Sequence, residues 1–298
     1  MPALPDASPT VELLWTGGAW LEGPVWLPAE EGVRFSDIPN DRILHFDAAT
    51  GEVHVHREGA EFVNGRTLDR EGRILQCSHG RRAVERESDG VVEVVVDRWG
   101  GGRFHSPNDV VVADDGAIWF TDPPYGLHPS GREGYPGSPE YEGCFVFRHD
   151  TATGETVAVI TDMVHPNGLA FSPDGSLLYV ADTGVVWDAA GPRHIKVYDT
   201  ATAQGRVFVE PTGVADGLRV DGAGRVWTSS GAAVEVFATT GERLARVEVP
   251  ETVSNLCFAG SDLYLTASTS LYRLRLGWSD HSRSGPSAGG ISQPSSMS

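Results

Sequence analysis

Residues 165–171 read HPNGLAF and continue as SPDGSLLYVAD over 172–182, so a Pro-Asn-Gly turn leads into an apolar run, a polar turn and a second apolar run. Asn-Gly and Asp-Gly are common turn sequences. Short runs of β-branched and aromatic residues between such turns are typical of β-strands. The stretch therefore predicts two short strands, and its copies elsewhere in the chain decide what the strands build.

The same pattern occurs six times. Each copy places a polar residue just before a β-rich run, a short turn and a second run, and most copies continue with two further strands. Four-stranded units repeated about every 40 to 50 residues indicate a β-propeller. The other five copies are LEGPVW (21–26), VNGRTLD (63–69), SPNDVVV (106–112), VADGLRV (214–220) and VSNLCFA (253–259).

The two ends of the repeat array complement each other. The sixth unit has no fourth strand after SLYRLRL (270–276), whereas VELLW (11–15) is a strand without a unit. A propeller left open exposes two sheet edges, so the N-terminal strand is predicted to close the last blade. The predicted fold is an all-β, six-bladed β-propeller over residues 10–276, with a β-sandwich as the competing architecture.

Composition limits the partners and the compartment. The 298 residues carry a formal charge of −18, and the sequence pI is about 4.8. This charge argues against nucleic acid and anionic membranes as partners. The three cysteines are widely spaced, which favours reduced thiols in the cytoplasm, and no export signal is evident. A monomer or dimer is expected, with residues 1–9 as a flexible N-terminus and 277–298 as a disordered Ser/Gly/Pro-rich tail.

The repeated polar residue is the first candidate for function. The first strand of each propeller blade lines the central channel, so these side chains should form a ring at one mouth. Any single Asn or Asp before Gly is also an ordinary turn residue. Two carboxylates in one channel raise each other's pKa unless a cation lies between them. Oxygen ligands favour Ca²⁺, then Mg²⁺ or Mn²⁺, with Zn²⁺ less expected. The ring comprises Glu22, Asn64, Asn108, Asn167, Asp216 and Asn255.

The ends of the second strands and one long loop should cover the same face. The strand ends either contact a ligand or only cap turns. The loop, residues 123–143 after the third unit's second strand, is either a functional lid or a plain surface loop. Its candidate pocket walls are Tyr125, Tyr135 and Tyr141. The strand ends are Asp37, His79, Asp122, Asp182, Ser230 and Ser268.

Several long motifs resemble the senescence marker protein 30/gluconolactonase/regucalcin-like family, in particular its bacterial gluconolactonase branch. The resemblance covers roughly residues 10–276, with agreement in order and spacing. The motifs are LEGPVW, FSDIPNDRI (35–43), SPNDVVV followed by FTDPPYG (120–126), HPNGLAFSPDGSLLYVADT, DGLRVD (216–221) and ASTSLYRL (267–274).

The resemblance implies one catalytic divalent cation held by Glu22, Asn167 and Asp216. It places Asn108 beside the cation, in contact with substrate or water. Animal members have a substrate-recognising arginine two residues before that asparagine, where this chain has Ser106. The catalytic residues are thus predicted to be Asp216 and Asn108. Predicted substrate contacts are Asn108, His105, Tyr125 and His79.

The predicted activity is metal-dependent hydrolysis of a gluconolactone-type sugar lactone to the aldonic acid. The cation polarises the carbonyl, and Asp216, or a water that it shares with the metal, acts as general base. Two alternatives stay open at this point. One is a phosphotriesterase-like hydrolase using the same metal site. The other is a non-catalytic, calcium-binding propeller.

Overall fold

The computed structural model describes residue 4 and residues 9–276, which form six four-stranded antiparallel sheets around a central channel. The predicted six-bladed propeller is therefore confirmed. The prediction for 277–298, and nearly all of that for 1–9, falls outside the described residues. Strand β1 (Val11–Thr16) comes first in the chain but belongs to the last blade.

Each blade is built from strands that are consecutive in the chain, apart from β1. Blade 1 contains β2 (Leu21–Leu27), β3 (Gly32–Asp37), β4 (Arg42–Asp47) and β5 (Val53–Glu58), and blade 2 contains β6 (Val63–Leu68), β7 (Ile74–Ser78), β8 (Ala83–Ser88) and β9 (Val91–Val96). A short ribbon, β10 (Arg98–Trp99) and β11 (Gly102–Arg103), precedes blade 3, which contains β12 (Val110–Val112), β13 (Ile118–Asp122), β14 (Cys144–His149) and β15 (Thr156–Met163).

Blades 4 to 6 complete the ring, and single-turn 3-10 helices cover Ile38–Asn40, Tyr125–Leu127 and Gly184–Val186. Blade 4 contains β16 (Pro166–Phe171), β17 (Leu177–Asp182), β18 (Ile195–Asp199) and β19 (Gly205–Val209), and blade 5 contains β20 (Leu218–Val220), β21 (Val226–Ser229), β22 (Ala233–Phe237) and β23 (Arg243–Glu248). Blade 6 contains β24 (Val253–Ala259), β25 (Asp262–Ala267), β26 (Ser270–Arg275) and β1.

The N-terminal strand closes the ring as predicted. β1 pairs antiparallel with β26, from Val11 opposite Leu274 to Thr16 opposite Ser270. On the inner side, the Ser254 hydroxyl of blade 6 donates to the Leu21 carbonyl of blade 1 at 2.5 Å. The last blade therefore combines strands from both ends of the described chain, and this pairing closes the ring.

The hydrophobic core lies between neighbouring blades. Between blades 2 and 3, for example, Leu75 and Val84 pack with Phe120 and Phe147, and all four side chains are fully buried. These residues alternate with residues of the opposite sheet face, as expected for strands that pack on both sides. The packed blades hold the channel-lining strands in place.

The prediction of a turn at Pro-Asn-Gly is wrong, because Asn167 and Gly168 lie inside β16. The pairing register shifts between Pro166 and Leu169, which is a β-bulge, and bulges redirect side chains. The glycine permits close approach of blade 5: a Cβ on Gly168 would lie 2.3 Å from the Asp216 carbonyl oxygen. The bulge therefore turns the Asn167 amide towards the channel, and the missing side chain of Gly168 lets the inner strands of adjacent blades come into contact.

Candidate active site

Five of the six ring residues line one cavity of about 420 Å³ at a mouth of the channel. Each lies at the start of a different blade's first strand or, for Asn108 and Asp216, two residues before it, so the repeat itself brings them together. The same cavity is lined by Tyr125 and Glu133 of the 123–143 loop and by Thr183, which follows β17. The five ring residues are Glu22, Asn64, Asn108, Asn167 and Asp216.

The sixth ring residue, Asn255, supports Glu22 instead of lining the cavity. Its amide Nδ2 donates to Glu22 Oε2 at 3.1 Å, while its Oδ1 accepts the Leu256 N–H at 2.9 Å. The Gly23 N–H donates to the same Glu22 oxygen at 2.7 Å. Glu22 Oε2 is thus held by two donors, and Oε1 makes no hydrogen bond to another described residue.

The carboxylates of the channel are strongly perturbed. Burial, together with nearby Asp109, raises the pKa of Glu22 to about 8. Burial also raises the pKa of Asp216, and the Glu22 and Glu133 carboxylates add to that shift. Asn167 opposes it by hydrogen bonding. Such raised values mark carboxylates that face each other in a poorly solvated space.

These residues fit a divalent cation. Neither Glu22 nor Asp216 forms an ion pair with another described residue, although both face the same cavity. In the described part of the chain, no three His, Cys, Asp or Glu side chains are grouped closely enough to hold a metal. The amide oxygen of Asn167 is therefore needed to complete a set of protein ligands. An all-oxygen set of this kind suits Ca²⁺ or Mg²⁺ better than Zn²⁺.

The aspartates that end second strands are structural caps. Asp122 accepts the His105 and Ser106 N–H groups, each at 2.8 Å. Asp182 accepts the His165 N–H at 2.9 Å and that of Val164 at the same distance. Each carboxylate is buried and holds the segment just before the first strand of its own blade. Of the two interpretations of these aspartates, capping is the one observed.

Two predicted substrate contacts lie behind the cavity wall rather than on it. His105 is buried and stacks on Tyr141 with ring centroids 4.1 Å apart. His79 is buried, and its Nε2 lies 3.3 Å from Asn64 Nδ2. Both histidines therefore support residues around the site, whereas Asn108 and Tyr125, the other two predicted substrate contacts, line the cavity.

The tyrosines of the loop do not share one role. Tyr125 lines the cavity and hydrogen-bonds Thr183. Tyr141 donates to the Asp122 cap, and Tyr135 is half exposed with its ring edge against Phe62. The loop instead brings one residue into the cavity that the sequence did not single out, Glu133. Its only signal was its position between glycines in an irregular loop.

The fold and this site define a class: a closed β-propeller with buried carboxylates converging on one end of its channel. The chain belongs to the SMP-30/gluconolactonase family, since the family described as "SMP-30/Gluconolactonase/LRE-like region" matches residues 20–269. Among the described residues, no helix has the length and apolar character needed to cross a membrane.

Relatives cover nearly the whole chain. A gluconolactonase from Zymomonas mobilis is 31% identical, with 92% of this chain and 83% of the relative covered. The solved structure of a gluconolactonase from Xanthomonas campestris has a TM-score of 0.84 at 36% identity, covering 92% of this chain and 94% of that one. A calcium-binding regucalcin from Agrobacterium tumefaciens shares the fold, with a TM-score of 0.72 at 19% identity over 90% and 94% of the two chains.

Proposed function

We propose that the protein is a lactonase that opens a gluconolactone-type sugar lactone to the aldonic acid and depends on one divalent cation. The observation that carries this proposal is the convergence of Glu22 and Asp216, neither of them ion-paired to a described residue, on one cavity. Membership of a family whose Zymomonas and Xanthomonas members are gluconolactonases supports the reaction class.

Glu22, Asn167 and Asp216 are the residues that would hold the cation. When bound, the cation supplies a Lewis acid for the lactone carbonyl and lowers the pKa of a water. Calcium is the first expectation, because the donors are all oxygens and the structurally similar regucalcin is a calcium-binding protein. Magnesium, manganese and zinc are the alternatives to be tested.

The protein side chains position the reactants. Asp216 orients the attacking water and accepts its proton. Glu22 provides a second carboxylate in the cavity, and the hydrogen bonds from Asn255 and Gly23 to its Oε2 hold that carboxylate in place. The Asn108 side chain lines the cavity and makes no hydrogen bond to another described residue. Its amide is therefore free to contact the substrate or the developing oxyanion.

The first test is acid release from glucono-1,5-lactone, corrected for spontaneous opening. Chelation is expected to lower the enzymatic rate by at least about a hundredfold, because the cation supplies several kcal/mol of charge stabilisation. Adding back Ca²⁺, Mg²⁺, Mn²⁺ or Zn²⁺ separately should restore activity with at least one of them. A chelated protein that keeps its full rate would contradict metal dependence. Hydrolysis of a phosphotriester without any lactone opening would favour the phosphotriesterase alternative.

A pH effect on stability follows from Glu22. A carboxyl group whose pKa is higher in the folded protein stabilises the fold below its unfolded value, here 4.5, and this contribution is lost as the pH rises towards 8. The Tm of cation-free protein should therefore fall between pH 5 and pH 8. Calcium should raise Tm more at pH 8 than at pH 5, because it binds the ionised carboxylates.

The control for this effect is Glu22→Gln, which removes the titrating group with little change of shape. Its cation-free Tm should depend less on pH over the same range, and calcium should stabilise it little. Differential scanning calorimetry with EDTA and with calcium measures both effects. An equal calcium-induced rise in Tm at pH 5 and pH 8 would contradict the assignment of Glu22 as a ligand.

The remaining expectations concern the cellular compartment, the binding partners and the oligomeric state. The three cysteines are free thiols, two of them buried, which supports a reducing compartment such as the cytoplasm. The partner expected at the site is a small sugar lactone, and the acidic chain argues against nucleic acid and anionic membranes as further partners. A monomer or dimer is the expected state, and sedimentation velocity distinguishes the two.

A further inference from the structure

The loop over residues 123–143 is anchored across the mouth of the cavity. The Arg132 guanidinium donates at 3.1 Å to the carbonyl of Ala19, which lies just before the first strand of blade 1. On the blade 2 side, His79 Nδ1 lies 2.8 Å from the Glu133 carbonyl oxygen. The loop backbone at Glu133 is therefore held by two neighbouring blades, and its side chain is presented to the cavity.

The Glu133 carboxylate differs from the other glutamates of this loop. Glu140 is paired with Arg82 at 2.9 Å, and Glu142 is exposed. Glu133 lines the cavity and forms neither a hydrogen bond nor an ion pair through its carboxylate with any other described residue. Burial raises its pKa, and its charge contributes to the raised pKa of Asp216.

Asn64 supplies a second acceptor on the same wall. Burial lowers the pKa of His79 to about 4, so the ring is neutral at physiological pH, with Nδ1 donating to Glu133 and Nε2 accepting from Asn64 Nδ2. The Asn64 amide is thereby oriented, and its Oδ1 is buried without a hydrogen-bond partner in the described structure. A buried acceptor without a donor is costly and indicates that a ligand or water supplies one.

We propose that Glu133 and Asn64 form a hydroxyl-binding wall that selects polyhydroxylated lactones over lactones without hydroxyl groups. Glu133 and Asn64 both line the cavity that the proposed cation ligands line. A polyol ring brings hydroxyl donors for the Glu133 carboxylate and for the unpartnered amide oxygen of Asn64. His79 acts as a positioning residue, because its ring bonds the backbone carbonyl of Glu133 and the amide nitrogen of Asn64 without lining the cavity. This inference rests on the proposed lactonase function and identifies the residues that would bind the substrate hydroxyl groups.

The test compares Glu133→Gln with the matched variant Glu142→Gln, which makes the same change on an exposed residue of the same loop. Substrates are glucono-1,5-lactone and δ-valerolactone, which has the same six-membered ring without hydroxyls. Glu133→Gln should raise KM for gluconolactone about tenfold or more, the usual cost of losing a charge-assisted hydrogen bond, with kcat within about threefold. Its kcat/KM for valerolactone and the properties of Glu142→Gln should stay near those of the wild type.

The outcomes separate this inference from the function itself. An active Glu133→Gln variant with unchanged KM for gluconolactone would overturn the hydroxyl-binding wall alone. A fall in kcat on both lactones, or weaker calcium binding by calorimetry, would also overturn it, because Glu133 would then serve catalysis or the cation. A wild-type protein that opens neither lactone, with any cation, would refute the lactonase proposal, and the wall would be refuted with it.

Discussion

Asp216→Asn is expected to lower kcat/KM for glucono-1,5-lactone by about a thousandfold. The substitution keeps the size of the side chain but removes both the charge offered to the cation and the group proposed to accept the proton of the attacking water. Asp216 lies in the cavity with Glu22, and each disfavours ionisation of the other without a cation. Calcium binding by calorimetry should weaken in parallel with the loss of activity.

Stability separates this loss from unfolding. Removing one of two like charges in a poorly solvated channel relieves repulsion, so cation-free Asp216→Asn should have a Tm at pH 8 equal to or above that of the wild type. Asp188→Asn is the matched control, since Asp188 is exposed after the 3-10 helix at Gly184–Val186. It should keep its activity within about twofold. Full activity in Asp216→Asn would favour the alternative of a non-catalytic, cation-binding propeller.

The repeat made the blades and the channel predictable from the sequence. Six copies of one strand pattern require six equivalent blades, and equivalent positions in a ring must converge on its axis. Glu22, Asn167 and Asp216 could therefore be placed together without coordinates. Asn255 shares the position but not the role, because its amide turns sideways to Glu22. That orientation depends on the neighbouring blade, which a pattern within one blade does not describe.

The positions of the loop residues and of the histidines could not be predicted from the repeat. An irregular loop has no period, so its sequence does not show which glutamate enters the cavity, as Glu133 does, and which is exposed, as Glu142 is. His105 stacks on Tyr141, a contact between residues 36 positions apart that only the folded loop creates. The turn predicted at Asn167 and Gly168 is wrong for a related reason. The local turn preference of Asn-Gly carries no information about the adjacent blade, which approaches closely at Gly168.

Asp37→Ala is expected to destabilise the fold by about 3 kcal/mol, the largest stability effect among these variants. The fully buried carboxylate accepts the Ala19 N–H at 2.9 Å, the Asn40 amide at 2.8 Å and two donors of Arg42 at 2.8 and 3.0 Å. Truncation leaves the largely buried guanidinium and a backbone N–H without their acceptor. Breaking such a pair from one side costs about 3 to 5 kcal/mol.

Asp47→Ala in the same blade is the matched control for chemical denaturation. Asp47 also accepts two backbone N–H groups, from Ala49 and Thr50, but it does so in an exposed turn where water replaces the lost bonds. Its cost should be no more than about 1 kcal/mol. Because the Asp37 cap holds the segment that leads into Glu22, Asp37→Ala should also weaken calcium binding, whereas Asp47→Ala should not. Similar free energies of unfolding for the two variants would show that burial of the Asp37 cap contributes nothing to its strength.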